Sequence, residues 1–71
     1  MYQVYRGNFT CRWCDLAVKE LEDRGLPHQV FKLGMADLVE LWELNGMHTV
    51  PVIYQDQKLI GGCSELLEEL K

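Results

Sequence analysis

The chain has 71 residues, of which 48% are hydrophobic and 25% are charged, and its formal net charge is −4 at pH 7. A chain of this length can bury about 60% of its unfolded surface, which predicts one small domain over residues 1–71. No apolar run approaches the about 20 residues of a membrane span, and no signal peptide is visible at the N-terminus. The negative charge argues against general nucleic-acid binding, which needs clustered Lys and Arg.

The first half of the chain predicts a strand, a helix and a second strand. Residues 2–5 are rich in Tyr and Val, which favours a strand, and Gly7 and Asn8 then begin a loop. Gly25 and Pro27 are stop signals for the helix, and the segment HQVFKL (28–33) favours the second strand. The predicted helix has its apolar residues at the spacing of one helical face, namely Cys14, Ala17, Val18 and Leu21.

The second half predicts two further helices around a hairpin. The third strand is predicted from Pro51 in PVIYQ, and the turn at 55–57 leads into KLI as the fourth. A helix ending at Asn45-Gly46 precedes the hairpin, and another follows Gly61-Gly62. Both helices have apolar residues at the spacing of one helical face: Met35, Leu38, Val39 and Trp42 in the earlier helix, and Cys63, Leu66, Leu67 and Leu70 in the later one. Met35 and Trp42 are expected to be core residues.

The predicted order of elements is therefore β-α-β-α-β-β-α. A helix between the first two strands implies a parallel pair joined by a right-handed crossover, whereas the short turn between the last two implies an antiparallel hairpin. The expected fold is α/β, with one mixed four-stranded sheet and helices on its faces.

Three cysteines, Cys11, Cys14 and Cys63, bear on the chemistry and on the compartment. An odd number of cysteines without a secretory signal argues against a disulfide framework. We therefore expect a reducing compartment, the cytoplasm, where a close pair of cysteines is more often catalytic or metal-binding.

The pair Cys11 and Cys14 lies where the first helix is predicted to begin. A separation of three residues places both thiols on one face about one turn apart, so that they can form a disulfide. The free N–H groups and the positive end of the helix dipole stabilise a thiolate there. Cys11 is therefore the predicted nucleophile, and Cys14, deeper on the apolar face, is predicted to resolve a mixed disulfide.

A zinc site is the competing interpretation of the pair. Zinc in structural sites takes four ligands, and the other candidates, Cys63, His28 and His48, do not form a second close pair. We therefore expect no metal. For Cys63 a small, partly buried residue of the last helix is favoured, with an additional redox role as the alternative.

Three motifs together resemble the glutaredoxins, small members of the thioredoxin-fold superfamily. They are Cys11-Arg12-Trp13-Cys14 after the first strand, Thr49-Val50-Pro51 at the third strand and Gly61-Gly62 before the last helix. The resemblance implies a thioredoxin-like fold and a monomeric thiol–disulfide oxidoreductase. It also implies glutathione as reductant and substrate, and disulfide-containing client proteins, with ribonucleotide reductase among the candidates.

The resemblance also implies a glutathione site. The Val50–Pro51 bond would be cis, which would lay the Val50 backbone beside Cys11, and Ser64 would cap the last helix. The N-terminus of that helix would bind the γ-glutamyl carboxylate of glutathione. The implied binding residues are Arg12, Trp13, Thr49, Val50, Pro51, Gly62, Cys63 and Ser64.

The chain departs from the family pattern at three places. Arg12-Trp13 replaces the common Pro-Tyr, and Asn8 and Met47 stand where basic residues are common. Arg6 or Arg12 could take over the glycine carboxylate of glutathione. Two alternatives stay open: a glutaredoxin-like protein reduced by thioredoxin reductase, and a carrier of a [2Fe–2S] cluster.

Overall fold

Four strands and three helices alternate along the chain in the predicted order. The structure is a computed structural model that describes residues 1–71. None of the helices is both long enough and apolar enough to cross a membrane. The elements are β1 (Tyr2–Gly7), α1 (Arg12–Asp23), β2 (His28–Leu33), α2 (Met35–Asn45), β3 (Val52–Gln55), β4 (Lys58–Gly61) and α3 (Cys63–Glu69).

The strands form one mixed sheet in the order β2-β1-β3-β4. β1 and β2 are parallel, as α1 between them requires, and β3 is antiparallel to both β1 and β4. Val4 lies opposite Val30 on one side and Ile53 on the other. The predicted α/β fold with a mixed four-stranded sheet is therefore confirmed.

The third strand begins one residue later than predicted. Pro51 precedes β3, which starts at Val52. Proline has no N–H to donate to a strand partner, so the hydrogen-bonded ladder begins after it.

The predicted stop of α1 is confirmed at Gly25. This residue has φ +66°, a backbone conformation that glycine adopts without strain. The Gly25 N–H donates to the Glu22 carbonyl at 3.0 Å, and the Leu26 N–H donates to the Leu21 carbonyl at 3.0 Å. This pair of bonds is a Schellman motif, which satisfies the last carbonyls of the helix and turns the chain toward β2.

The main core lies between the sheet and the two helices α1 and α3. Val4 and Ile53 face these helices from the two central strands, because directly opposed residues of antiparallel strands share one face of a sheet. The cluster consists of Tyr2, Val4, Ala17, Leu21, Ile53, Cys63 and Leu66. This packing fixes both helix N-termini relative to the strands.

The predicted apolar face of α2 is wrong as a set of core residues. Only Leu38 is fully buried, whereas Met35 is 60% exposed and Val39 is exposed as well. A single helix covers this face of the sheet, and β2 beneath it is an edge strand, so nothing packs on the outer part of the helix. Trp42 is half-buried and is held by a hydrogen bond described below.

The difference between a buried and an exposed leucine provides a test of this packing. We expect Leu21→Ala to lower the free energy of unfolding by about 2–5 kcal/mol, because it removes a fully buried side chain from the main core. Leu44→Ala, the same change at a leucine that is 77% exposed, should alter it by less than about 0.5 kcal/mol. Urea unfolding of both variants measures the difference, and equal losses would contradict the described core.

Candidate active site

Cys11 and Cys14 are disulfide-bonded at the start of α1. Cys11 is the N-cap residue with extended backbone (φ −144°, ψ 108°), and the helix proper begins at Arg12. The Cα atoms of the two cysteines are 5.3 Å apart, within the usual range for a disulfide. The prediction that the pair lies at the helix start, within bonding distance, is confirmed.

The two sulfur atoms have different surroundings. Cys14 is fully buried, whereas 9% of the surface of Cys11 as a residue is exposed. The Cys14 N–H also donates to the Cys11 Sγ at 3.1 Å. That donor and the helix dipole both favour negative charge on the Cys11 sulfur once the disulfide is reduced.

A cavity of about 320 Å³ lies on the side of the pair that Trp13 faces. Trp13 is 57% exposed and forms one wall, and the segment before β3 and the start of α3 form the others. Six of the predicted binding residues line it together with Glu65, namely Trp13, Thr49, Val50, Gly62, Cys63 and Ser64. The predicted residues Arg12 and Pro51 do not line it.

The segment before β3 is held from two sides. The Val50–Pro51 bond is cis, as predicted, and Pro51 is fully buried. The indole N–H of Trp42 donates to the Thr49 carbonyl at 2.9 Å, which ties this segment to α2. Trp42 therefore supports the cavity wall from behind rather than filling the core.

Both glycines before α3 occupy places that restrict a side chain. Gly61 has φ +124°, and a Cβ atom there would lie 2.8 Å from Cγ of Glu65. A Cβ atom on Gly62 would lie 3.3 Å from Oε1 of Glu65 and 3.6 Å from the Pro51 carbonyl oxygen. The Glu65 side chain thus sets the limit at both positions, and the positive φ of Gly61 adds a backbone reason for glycine there.

Glu65 is a residue of this cavity that the sequence analysis missed. Its carboxylate accepts the Gly62 N–H at 2.7 Å, so Gly62, not Ser64, is the N-cap residue of α3. The prediction of Ser64 as the cap is wrong: Ser64 is the second residue of the helix and is exposed. A Glu at the third helical position is the sequence signal that would have indicated this contact.

A second cavity, of about 350 Å³, lies on the other side of the loop before Cys11. Its cationic residues are Arg6 from β1 and Lys32 from β2, and Asn8 also lines it. Arg6 is already paired with Asp15 through its guanidinium, at 2.7 Å. Arg12 is exposed and takes part in none of the ion pairs, so it is free to meet an anion beside Cys11.

Cys63 lies at the start of α3 and is the one free thiol. Burial raises the pKa of Cys63 above its ordinary value, and the carboxylates of Glu20 and Glu65 raise this pKa further. The thiol therefore stays protonated at neutral pH, and its environment is the reverse of that of Cys11.

The candidate metal ligands of the sequence are not brought together. No group of three or more His, Cys, Asp or Glu side chains is placed to hold a metal ion. His28 contacts the Leu26 carbonyl through Nδ1 at 2.8 Å, and His48 is exposed beside Thr49. Neither histidine therefore joins Cys11 and Cys14 in a group that could hold a metal ion.

A redox-active disulfide at a helix N-terminus, set on this mixed sheet, defines a dithiol protein of the thioredoxin fold. The family model described as "Glutaredoxin" matches residues 1–60. The chain belongs to the glutaredoxin family, whose members are thiol–disulfide oxidoreductases. No curated protein matches its sequence.

Solved glutaredoxins share the fold. The buckwheat glutaredoxin–glutathione complex has a TM-score of 0.85 at 24% identity, with 97% of this chain and 66% of that chain covered. Glutaredoxin 1 from Francisella tularensis, complexed with cacodylate, has a TM-score of 0.84 at 22% identity, with 97% and 90% covered. The holo form of glutaredoxin C1 from Populus tremula x tremuloides has a TM-score of 0.79 at 24% identity, with 97% of this chain and 66% of that chain covered. The chain thus spans about two thirds of the length of the two plant proteins.

The environment of Cys63 leads to a prediction about pH. In the folded chain its thiol stays protonated above the ordinary thiol pKa of about 8.5, whereas in the unfolded chain it ionises there. Its contribution to stability is therefore fully present below the unfolded pKa and is lost as pH rises through the folded pKa.

We expect a Cys11→Ser/Cys14→Ser variant, in which Cys63 is the only thiol, to lose more stability between neutral pH and about pH 10 than the same variant with Cys63→Ala. Urea unfolding at both pH values measures this. Parallel losses in the two variants would show that Cys63 ionises equally in both states.

Proposed function

We propose that the chain is a glutathione-dependent dithiol oxidoreductase that reduces protein disulfides and glutathione mixed disulfides. The observation that carries the proposal is Cys11, the less buried residue of the pair, at a helix N-terminus, next to a cavity that Thr49, Val50 and the start of α3 line. Thiol chemistry needs the first feature, and selection of a peptide-like thiol needs the second.

The sequence of steps follows from the positions of the two cysteines, with Cys11 at the N-cap and Cys14 fully buried one turn further into the helix. The Cys11 thiolate attacks one sulfur of a client disulfide, and the other sulfur leaves as a thiolate that takes up a proton. Cys14, fully buried against the helix, then attacks the Cys11 sulfur as a thiolate after losing its proton. The client leaves reduced, and the Cys11–Cys14 disulfide of the structure is formed.

Two glutathione molecules complete the cycle in this proposal. The thiolate of the first attacks the Cys11 sulfur, which gives a Cys11–glutathione mixed disulfide and returns Cys14 to its thiol form. The thiolate of the second attacks the glutathione sulfur of that bond, which releases oxidised glutathione and restores the Cys11 thiolate. Two electrons pass from two glutathiones to the protein pair.

The cavity beside Trp13 is the proposed place of glutathione. The first N–H groups of α3 at Cys63 and Ser64 have no partner within the helix and suit the γ-glutamyl carboxylate. The Gly62 N–H is occupied by Glu65, so we assign the carboxylate to the two following amides. The solved buckwheat complex supports this choice of ligand, since that protein binds glutathione on the same fold.

The second candidate function is that of a glutaredoxin-like protein reduced by thioredoxin reductase. The observation that favours it is the uncharged pair Asn8 and Met47 at the positions where the family commonly has basic residues. Arg6 does not replace them, because its guanidinium is engaged by Asp15 and the Phe9 carbonyl. Ribonucleotide reductase stays a client expected from the family resemblance alone.

The first test separates the two cysteines and the two reductants. We expect Cys11→Ser to abolish all thiol transfer, whereas Cys14→Ser should retain removal of glutathione from mixed disulfides and lose reduction of protein disulfides. The assays couple turnover to glutathione with glutathione reductase, and in parallel to thioredoxin reductase. Turnover with thioredoxin reductase alone would replace the proposed function by the second candidate.

The second test addresses the carboxylate position on α3. Ser64→Asp places a negative charge beside the two free amides, whereas Ser64→Asn has nearly the same size and no charge. We expect Ser64→Asp to weaken glutathione binding by about fivefold, or about 1 kcal/mol, at low salt, and Ser64→Asn to change it by less than about twofold. NMR titration with glutathione measures both, and a site elsewhere would leave the Cys63 and Ser64 amides unmoved.

A further inference from the structure

The Arg6 side chain connects the central strand to both ends of the active-site segment. It leaves β1 one residue before the strand ends, and only 12% of the side chain is exposed. One terminal nitrogen, Nη1, donates to Asp15 Oδ1 at 2.7 Å, and the other, Nη2, donates to the Phe9 carbonyl at 2.9 Å. These two acceptors bracket the cysteine pair, since Phe9 precedes Cys11 by two residues and Asp15 follows Cys14 directly.

The planar guanidinium holds two separate parts of the chain in a fixed relative position, one through a backbone carbonyl and the other through a side-chain carboxylate. The Phe9 carbonyl belongs to the loop that leads into Cys11, and Asp15 belongs to the first turn of α1. A lysine ammonium on its flexible stem presents a compact charge and does not reproduce the fixed, forked geometry of a guanidinium. The loop and the helix start are thus aligned on the sheet by a single side chain.

Two of the three guanidinium nitrogens of Arg6 have hydrogen-bond partners and the third has none. Its Nε–H is buried and has no hydrogen-bond partner. A buried donor without a partner costs free energy, and an apolar side chain of similar length would avoid that cost. The bonds of the two terminal nitrogens, which reach either side of the cysteine pair, are therefore the contacts of Arg6 that bear on the site.

One of these contacts bears on the site through the charge of Asp15. A carboxylate in the first turn suits the helix dipole, but it opposes a thiolate on Cys11, which shares the same helix end. The cation of Arg6, held at 2.7 Å, offsets this carboxylate. The other charged or titratable groups that line the two cavities are Lys32, Glu65 and Cys63, and Arg12 lies between the two cysteines in sequence.

We propose that Arg6 is a positioning residue for Cys11, which fixes the loop before it and screens its thiolate from Asp15. The inference rests on the proposed function, in which Cys11 is the attacking thiol. It adds an ion pair outside the glutathione cavity that adjusts the reactivity of that thiol.

The test uses substitutions with opposite signs. Arg6→Met removes the screening cation and should raise the pKa of Cys11, with about a threefold loss in its rate of alkylation by iodoacetamide at neutral pH and low salt. Asp15→Asn removes the carboxylate, leaves the Arg6 cation uncompensated and should lower the pKa of Cys11. The double variant Arg6→Met/Asp15→Asn should return both quantities toward the wild type. If the contact were purely structural, Arg6→Met and Asp15→Asn would shift the pKa of Cys11 in the same direction.

The measurements are thiolate absorbance against pH and alkylation rates at two salt concentrations, all in a Cys14→Ser background. Asp23→Asn is the matched control, because Asp23 is a carboxylate at the far end of the same helix, paired with Lys19. It should leave Cys11 unchanged. If Arg6→Met folds poorly, Arg6→Gln replaces it, and Asp15→Asn still shows in which direction the pKa of Cys11 shifts.

The proposal is overturned if Arg6→Met and Asp15→Asn shift the pKa of Cys11 in the same direction, or if neither shifts it. It is also overturned if the double variant has the same Cys11 pKa as Arg6→Met alone. None of these measurements requires glutathione or a client protein. A failure of the proposed function in the coupled assays and a failure of this inference are therefore separate results.

Discussion

The hydrogen bond from the Cys14 N–H to the Cys11 sulfur is the contact on which the site depends. It exists because the helix begins immediately after Cys11, which leaves the first N–H groups without intrahelical partners and turned toward that sulfur. The packing of α1 on the central strands keeps this helix end in place. Fold and chemistry therefore meet at one N-cap residue, where a side chain that would normally be Ser, Thr, Asp or Asn is replaced by a thiol.

A cysteine stands at the start of two helices, α1 and α3, and the surroundings of the two thiols differ. At α1 the helix end faces the Cys11 sulfur, which accepts the Cys14 N–H. At α3 the thiol of Cys63 points into the core, and Glu65 occupies the Gly62 N–H. The two cysteines at helix starts thus differ in their surroundings, because the Cys11 sulfur accepts a backbone N–H, whereas burial and two carboxylates favour the protonated thiol of Cys63.

Local patterns in the sequence predicted most of the fold, because strand alternation, helical spacing and stop signals act over a few residues. The cysteine pair was predicted in the same way, whereas the cis Val50–Pro51 bond was predicted from the family resemblance. The face of α2 was not, since spacing shows which side of a helix is apolar and not how much of that side a sheet covers. Arg6 was considered only as a ligand for glutathione, because its pairing with Asp15 joins a strand to a helix across a loop, and no local pattern records such a contact.

The parts of the site differ in how far apart they lie along the chain. The Cys11–Cys14 pair and its helix come from one continuous segment, whereas the cavity needs residues near 50 and 63 brought beside Trp13 by the sheet. A substitution near residue 50 or 63 can therefore reshape the walls of the cavity while the cysteine pair and its helix start stay as they are. The two parts of the site can diverge in sequence independently of each other.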